Sequence, residues 1–147
     1  RLVSRGLGDV YKRQVQANIA IVDQARNGTG CAIVHSDDER GIQRLNQEAA
    51  KAWSAGNRAG YNISKARAIN WITSNPAKAA GIYDRTGSIV AGKDADLVLW
   101  SKNPFSVYAL AEKVYIDGAL AFDREAGFYP VSDFDLGIIK PSGVRVE

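Results

Sequence analysis

A cluster of polar side chains that could do chemistry follows a short apolar run, residues 31–34. The cluster lies within the stretch VHSDDERG and contains His35, Ser36, Asp37, Asp38 and Glu39. A carboxylate there can ligate a metal ion, act as a general base, or cap the following helix. These residues alone leave the role of Asp37 open, although Asp38 lies nearer the next helix and is the better capping candidate. His35 fits a hydrogen-bonded structural role as well as that of a ligand.

The pattern around this cluster predicts a strand, a loop and a helix. Residues 30–36, GCAIVHS, are short, apolar and flanked by turn residues, which is typical of a strand buried on both faces of a parallel sheet. Apolar residues recur at helical spacing after Gly41 and predict an amphipathic helix that ends near Gly56 or Gly60. In parallel α/β folds, functional residues gather at the carboxyl ends of strands, which is where this pattern puts Asp37.

Capping and turn residues predict the other helices. The end of a helix is expected over residues 17–25, before the Asn27–Gly28 turn. Ser64 can cap the next helix, and a short third one is expected to start at Asn75 with Pro76 in its first position and to close at Gly81.

From Thr86 onward, two-residue alternation and turns predict a small antiparallel β unit. Asp117 and Gly118 separate the segments KVYI and ALAF and form a favoured two-residue hairpin turn. Asp96 lies at the start of a strand after a turn at Lys93 and is interpreted as a structural acceptor for backbone donors, without a catalytic role. Packing roles are expected for the three tryptophans, Trp53, Trp71 and Trp100.

The first fourteen residues do not share the character of the rest. They show no core periodicity, and residues 4–14, SRGLGDVYKRQ, resemble the translation of a sequencing-library adapter. We therefore expect residues 1–14 to be non-native. Without their four basic residues and one acidic residue, the 19 basic and 16 acidic side chains become 15 and 15. That balance gives no argument for a nucleic-acid partner.

The remaining composition is that of a soluble globular domain. The sequence is 46% hydrophobic and 24% charged, and no apolar run approaches the roughly 20 residues that span a bilayer, so no membrane partner is expected. Cys31 is the only cysteine, which excludes an intrachain disulfide, and its apolar neighbours predict that it is buried. A soluble protein of the cytoplasm or periplasm is expected, and the compartment and oligomeric state stay open.

Three pieces of the sequence together resemble the C-terminal end of the metal-dependent amidohydrolase superfamily, and most of all its imidazolonepropionase-like branch. Residues 73–81 match the pattern T-x-N-P-A-x-x-x-G. Residues 87–98 match G-S-I-x-x-G-K-x-A-D-L-V, and Ser36–Asp37 matches the end of the last barrel strand.

The resemblance implies an α/β fold, namely the C-terminal end of a (β/α)₈ barrel followed by part of a small β-sandwich. Residues 15–83 would supply the last barrel strand and helices, and residues 84–125 part of the composite sandwich. Residues 126–147 show no clear period and are expected to form an irregular tail.

The resemblance also implies an activity, the hydrolysis of a C–N bond, often in a cyclic amide, by metal-activated water. A divalent metal, expected to be zinc, lowers the pKa of its bound water and polarises the scissile carbonyl. Asp37 would then be both a metal ligand and the catalytic carboxylate that accepts the water's proton. The expected substrate is a small-molecule amide or a short peptide.

One departure from the family pattern bears on this expectation. The superfamily takes its other metal ligands from histidines and a lysine or glutamate on earlier strands, and His35 is on the wrong strand to replace them. The chain is therefore expected to be a fragment that is inactive by itself and holds no metal stably. Two alternatives stay open: a dipeptidase fragment of the same superfamily, and a non-enzymatic α+β interaction module in which Asp37 caps a helix.

Overall fold

The computed structural model describes residues 15–36 and 41–126 of the 147-residue chain. The expected non-native segment 1–14 and almost all of the expected tail, from residue 127 on, lie outside the described residues. The α-helices of the described residues are α1 (Asn18–Gly28), α2 (Leu45–Arg58), α3 (Lys65–Ala68) and α4 (Ser74–Ala79). Two 3₁₀ helices, Ile42–Arg44 and Ile69–Ile72, precede α2 and α4. None of the described helices is both long and apolar enough to cross a membrane.

Helix α2 forms as its apolar spacing predicts. It buries Asn46, Ala49 and Gly56 on one side, and Glu48 and Lys51 form an exposed ion pair of 2.6 Å on the surface. At its end the Gly60 amide donates to Asn57 O at 3.0 Å, and the next amide donates to Gly56 O at 3.1 Å. This pair of hydrogen bonds is the Schellman arrangement, so of the two predicted ends, Gly56 and Gly60, the structure has the one at Gly60.

Local chemistry also defines the two short helices. Ser64 has extended backbone angles, and its Oγ accepts the Arg67 amide at 3.1 Å, which confirms the predicted cap of α3. Helix α4 begins at Ser74, one residue before the predicted start at Asn75, so Pro76 occupies its third position instead of its first. The missing N–H still leaves no hydrogen bond unmade, because Pro76 remains in the first turn. After α4 the Gly81 amide donates to Lys78 O at 3.1 Å, so Gly81 closes the helix as predicted.

The three strands β1 (Leu97–Trp100), β2 (Ala111–Ile116) and β3 (Ala119–Asp123) form one antiparallel sheet in the order β1-β2-β3. Asp117 and Gly118 connect β2 to β3 with φ values of 50° and 78°, the left-handed geometry of a tight hairpin, as predicted. The β unit is predicted to begin at Thr86, but its first strand begins at Leu97. Residues 86–96 form turns and irregular backbone.

The predicted buried strand at residues 30–36 is wrong for this chain. Residues 30–36 have no regular secondary structure, and Cys31, predicted to be buried, is exposed. A strand exists only when its backbone pairs with a neighbour, and a run buried on both faces of a parallel sheet needs strands on both sides. The described residues supply none to this segment, so its apolar composition does not make it a strand or bury Cys31.

The helical core is small and holds the segment that precedes Asp37. Its buried members are Ala17, Ala20, Ala32, Ile63, Ala68 and Trp71. Helices α1 and α2 pack so closely that a Cβ on Gly56 would lie 2.6 Å from the Ala20 Cβ. Ala32 is 1% exposed, so part of the irregular segment belongs to this core.

Two contacts join the helices to the sheet region. The Asn46 side chain of α2 donates to Pro104 O at 2.6 Å, and the Trp53 ring lies 6.2 Å from the Phe105 ring. Farther along, the turn at Gly87 presses against α4, since a Cβ at Gly87 would lie 2.5 Å from the Ala77 Cβ. Gly87 has φ +86°, so both its backbone and its surroundings favour glycine.

Candidate functional site

The approach to the predicted site residue is described, although Asp37 itself lies outside the described residues. The chain is described up to Ser36, which is half-buried, and again from Gly41. His35 is exposed, and its Nδ1 lies 3.3 Å from Ser36 O. The environment of Asp37, Asp38 and Glu39 is therefore not part of this structure, and the roles assigned to Asp37 stay predictions.

Two long-range hydrogen bonds hold the segment that leads to Asp37. The Val34 amide donates to Trp71 O at 3.0 Å, and the Asn75 side-chain amide donates to Ala32 O at 2.8 Å. Both partners come from residues 69–79, which follow the segment by about 40 positions. The chain thus places the start of α4 and the preceding 3₁₀ helix beside residues 31–36.

A buried polar network supports the first of these partners. Trp71 is fully buried, and its Nε1 donates to Oδ1 of Asp23 at 2.8 Å. Oδ2 of Asp23 accepts Arg67 Nε at 2.5 Å, and Arg67 Nη2 donates to Asp23 O and Gly28 O. Because the buried carboxylate is paired and hydrogen-bonded, this network is structural.

The sequence alone does not predict this network. Asp23 stands at helical spacing with Ile19 and Ala20, and nothing adjacent in the sequence marks it as a network residue. An acid on an otherwise apolar helix face signals a buried partner, because burying a charge without one is costly. Its partners Arg67 and Trp71 lie 44 and 48 positions away, so the signal could not have identified them.

A polar cavity of about 250 Å³ lies at the start of the same segment. Its lining includes Thr29, Cys31, Arg67, Asn75 and Lys78. The Cys31 Sγ is 3.7 Å from Asn75 O, and the Arg67 guanidinium is already paired with Asp23. Asp23 and Arg67, two of the charged residues that line this cavity, are thus paired with each other and stabilise the fold.

Asp96 has the structural role predicted for it. Its Oδ1 accepts the Asp117 amide at 3.1 Å, and its Oδ2 accepts the Thr86 hydroxyl at 2.7 Å. These two hydrogen bonds, the Asp117 amide foremost, hold the pKa of the Asp96 carboxyl below its usual value. Asp96 therefore ties the turn before β1 to the hairpin between β2 and β3.

Lys93, predicted as a turn residue, contacts Tyr83, which follows helix α4 in the chain. Its Nζ donates to Tyr83 O and lies 3.6 Å from the centre of the Tyr83 ring. Lys78 approaches the same ring at 4.8 Å. The two amines hold the aromatic ring by cation–π contacts, which is a packing role.

The described residues do not by themselves fit a catalytic metal. A catalytic zinc takes about three protein ligands. Over residues 15–36 and 41–126, no group of three or more His, Cys, Asp or Glu side chains could hold a metal ion. No catalytic step can be assigned to a metal from these residues.

Comparison with known proteins gives a consistent set of relatives. Residues 39–124, more than half of the chain, match the Amidohydrolase family. The chain is 37% identical over 81 residues to the amidohydrolase tasK of Hapsidospora irregularis, covering 55% of this chain and 8% of that protein. It is 44% identical over 41 residues to the imidazolonepropionase of Shewanella oneidensis, covering 28% of this chain and 10% of that protein.

A solved structure shows the same relationship. The crystal structure of an amidohydrolase from Thermotoga maritima superposes with a TM-score of 0.62 and 34% sequence identity. The match covers 74% of this chain and 26% of that one. The chain thus spans about a tenth of the length of the two curated relatives and about a quarter of the solved structure.

Proposed function

We propose that this chain, which belongs to the amidohydrolase family, is the C-terminal part of a hydrolase that cleaves a C–N bond in a small cyclic amide. The observation that carries the proposal is the family match over residues 39–124. The mixed helix and strand structure and its likeness to the Thermotoga maritima amidohydrolase support the same family.

The substrate class is proposed from one group of relatives. Several imidazolonepropionases of Shewanella species are 44–45% identical to this chain over 40 or 41 residues. These short matches favour a cyclic amide over the dipeptide alternative.

Within the whole protein, Asp37 is the residue of this chain that we assign to the reaction. The carboxylate would accept a proton from the attacking water and deliver it to the leaving nitrogen, which is general base and then general acid catalysis. The family match begins at residue 39, so this assignment comes from the motif order, in which Ser36–Asp37 ends the last barrel strand.

A divalent metal, proposed to be zinc, would supply an activated water and polarise the amide carbonyl. Asp37 is proposed as one of its ligands. Because the described residues contain no group of three suitable side chains, we propose that the other ligands come from parts of the whole protein outside residues 15–36 and 41–126.

The test uses the whole protein encoded at the source locus, and compares Asp37→Asn with the neighbouring Asp38→Asn. We expect the wild type to hydrolyse cyclic amides, and Asp37→Asn to lower kcat by roughly 10² to 10⁴, as for loss of a general base. Asp38→Asn should stay within a few-fold of the wild type. Metal content is measured for each protein by elemental analysis.

Two results would contradict the proposal. Equal activity in the two variants would remove Asp37 from the reaction. Cleavage of dipeptides with no action on cyclic amides would move the protein to the peptidase alternative.

A further inference from the structure

We propose that Asn75 is a positioning residue, whose side-chain amide holds residues 31–36, the segment that precedes Asp37 in the sequence. This inference rests on the proposed function, in which Asp37 is the catalytic carboxylate. Asn75 would touch neither substrate nor metal and would act only through the backbone of the segment before Asp37.

Asn75 contacts the segment directly. Its Nδ2 donates to Ala32 O at 2.8 Å, and its own carbonyl oxygen lies 3.7 Å from the Cys31 Sγ. Ala32 is 1% exposed, and a buried carbonyl left without a donor is destabilising. Asn75 therefore meets the segment at two adjacent residues and satisfies a buried backbone group.

Within the described residues, the backbone of residues 31–36 is held from the 3₁₀ helix Ile69–Ile72 and from helix α4. The two long-range hydrogen bonds recorded for their backbone are Asn75 Nδ2 to Ala32 O and the Val34 amide to Trp71 O. Asn75 binds the Ala32 carbonyl, and Trp71 binds the Val34 amide. Backbone groups two positions apart are the ones that the edge of a neighbouring strand would bind.

The donor side chain belongs to a helix that is packed on both sides. Asn75 is in the first turn of α4, between the buried residues Ser74 and Ala77. The turn at Gly87 closes over this helix, where a Cβ would lie 3.3 Å from Ser74 Cα and 2.5 Å from the Ala77 Cβ. A donor held on both sides in this way can impose a position on the segment that it binds.

The side chain needs an N–H, and this requirement separates Asn from its isostere. Asp has the same shape, but its ionised carboxylate only accepts hydrogen bonds and would face Ala32 O without a donor. Asn75→Asp thus removes the contact while keeping the volume. Asn70→Asp is the matched control, because Asn70 lines the same cavity and its side chain has no hydrogen bond to any described residue.

The experiment measures kcat, KM, metal content and thermal midpoint for both variants in the whole protein, with amide exchange at Val34 as a local readout. Misplacing a reacting group by about 1 Å can cost 10² in rate. We therefore expect Asn75→Asp to lower kcat by roughly 10- to 100-fold with KM changed less than about threefold, metal content retained and faster exchange at Val34. Asn70→Asp should match the wild type. Asn75→Ala, which adds no charge, repeats the test if the first variant does not fold.

The outcomes separate this inference from the proposed function. If Asn75→Asp retains the kcat of Asn70→Asp while Asp37→Asn abolishes turnover, the positioning role is wrong and the proposed function stands. If KM changes by more than about threefold, and the thermal midpoint and metal content fall together with kcat, Asn75 is merely structural and the inference is wrong. If turnover does not depend on Asp37, the proposed function is wrong, and the catalytic part of this inference falls with it.

Discussion

The indole Nε1 of Trp71 donates a hydrogen bond of 2.8 Å to Oδ1 of Asp23, and both residues are almost fully buried. The bond joins α1 to the 3₁₀ helix Ile69–Ile72 across 48 residues of sequence. Because the carbonyl of Trp71 accepts the Val34 amide, the buried carboxylate indirectly supports the segment that leads to Asp37.

Trp71→Phe tests this relationship by removing the indole N–H while keeping an aromatic ring. We expect the free energy of unfolding to fall by about 1 to 3 kcal/mol, because a buried carboxylate loses a donor. Trp100→Phe is the control, since the half-buried Trp100 indole makes no hydrogen bond with described residues, and its cost should be below about 1 kcal/mol. Urea denaturation measures both, and equal losses would contradict the network's role.

Gly87→Ala tests the close approach between the Gly87 turn and α4. The added Cβ would meet the Ala77 Cβ at 2.5 Å, and φ is +86°, so we expect a loss of about 2 to 4 kcal/mol. Gly92 has φ +91° with open space around it, and Gly92→Ala should cost only the backbone strain of about 1 kcal/mol. If the two variants unfold at the same denaturant concentration, the steric contact is not significant.

The cross-strand ion pair between Lys113 and Asp123 predicts a pH dependence. Its Nζ–Oδ2 distance is 3.0 Å; the hydrogen bond to Lys113 lowers the pKa of Asp123, and the bond to Asp123 raises the pKa of Lys113. Folding therefore favours the ionised Asp123. Its contribution is present above the unfolded pKa of about 3.9 and is lost as the pH falls through the lower folded value. The Lys113 contribution is present below about pH 10.4 and is lost as the pH rises through the raised folded value.

Asp123→Asn should remove both contributions. We expect the stability difference between wild type and variant to be constant from about pH 5 to 9 and to shrink below about pH 4. Urea titrations at several pH values measure it, with Asp84→Asn as the control, because Asp84 is exposed and forms no ion pair with described residues. A difference that grows on acidification would refute the predicted sign.

Asp96→Ala should loosen the hairpin without changing the chemistry. The Asp117 amide loses its side-chain acceptor, so we expect its hydrogen exchange to accelerate by roughly threefold to tenfold. Asp94→Ala breaks only the nearby pair with Arg85 and should leave that amide unchanged. In the whole protein, turnover by Asp96→Ala should remain within a few-fold of wild type, and a loss comparable to that of Asp37→Asn would make Asp96 catalytic.

Features set by a few neighbouring residues could be predicted from the sequence. The Ser64 cap, the helix ends at Gly60 and Gly81 and the Asp117–Gly118 turn each depend on the local conformational preferences of one or two residues. The family also follows from short motifs, and the comparisons confirm it.

Features that depend on distant partners could not be predicted in the same way. The apolar residues 30–36 gave the wrong structure because a buried strand is defined by neighbours that the described chain does not provide. The bonds from Asn75 to Ala32 and from Trp71 to Asp23 span more than 40 residues, and no spacing rule identifies such pairs. The roles of Asp37 stay predictions for the same reason, since they depend on groups outside the described residues.

The connection between β1 and β2 illustrates how misleading loop length can be for protein engineering. Inserted tags and protease cuts are usually tolerated in exposed loops. Residues 101–110 form the longest connection in the sheet, but Pro104 O accepts the Asn46 side chain and Phe105 packs on Trp53. We expect an affinity tag or split site beside Pro104 to disrupt these two contacts between the connection and helix α2. The exposed turn at Gly92, with open space around it, is the safer place for a label.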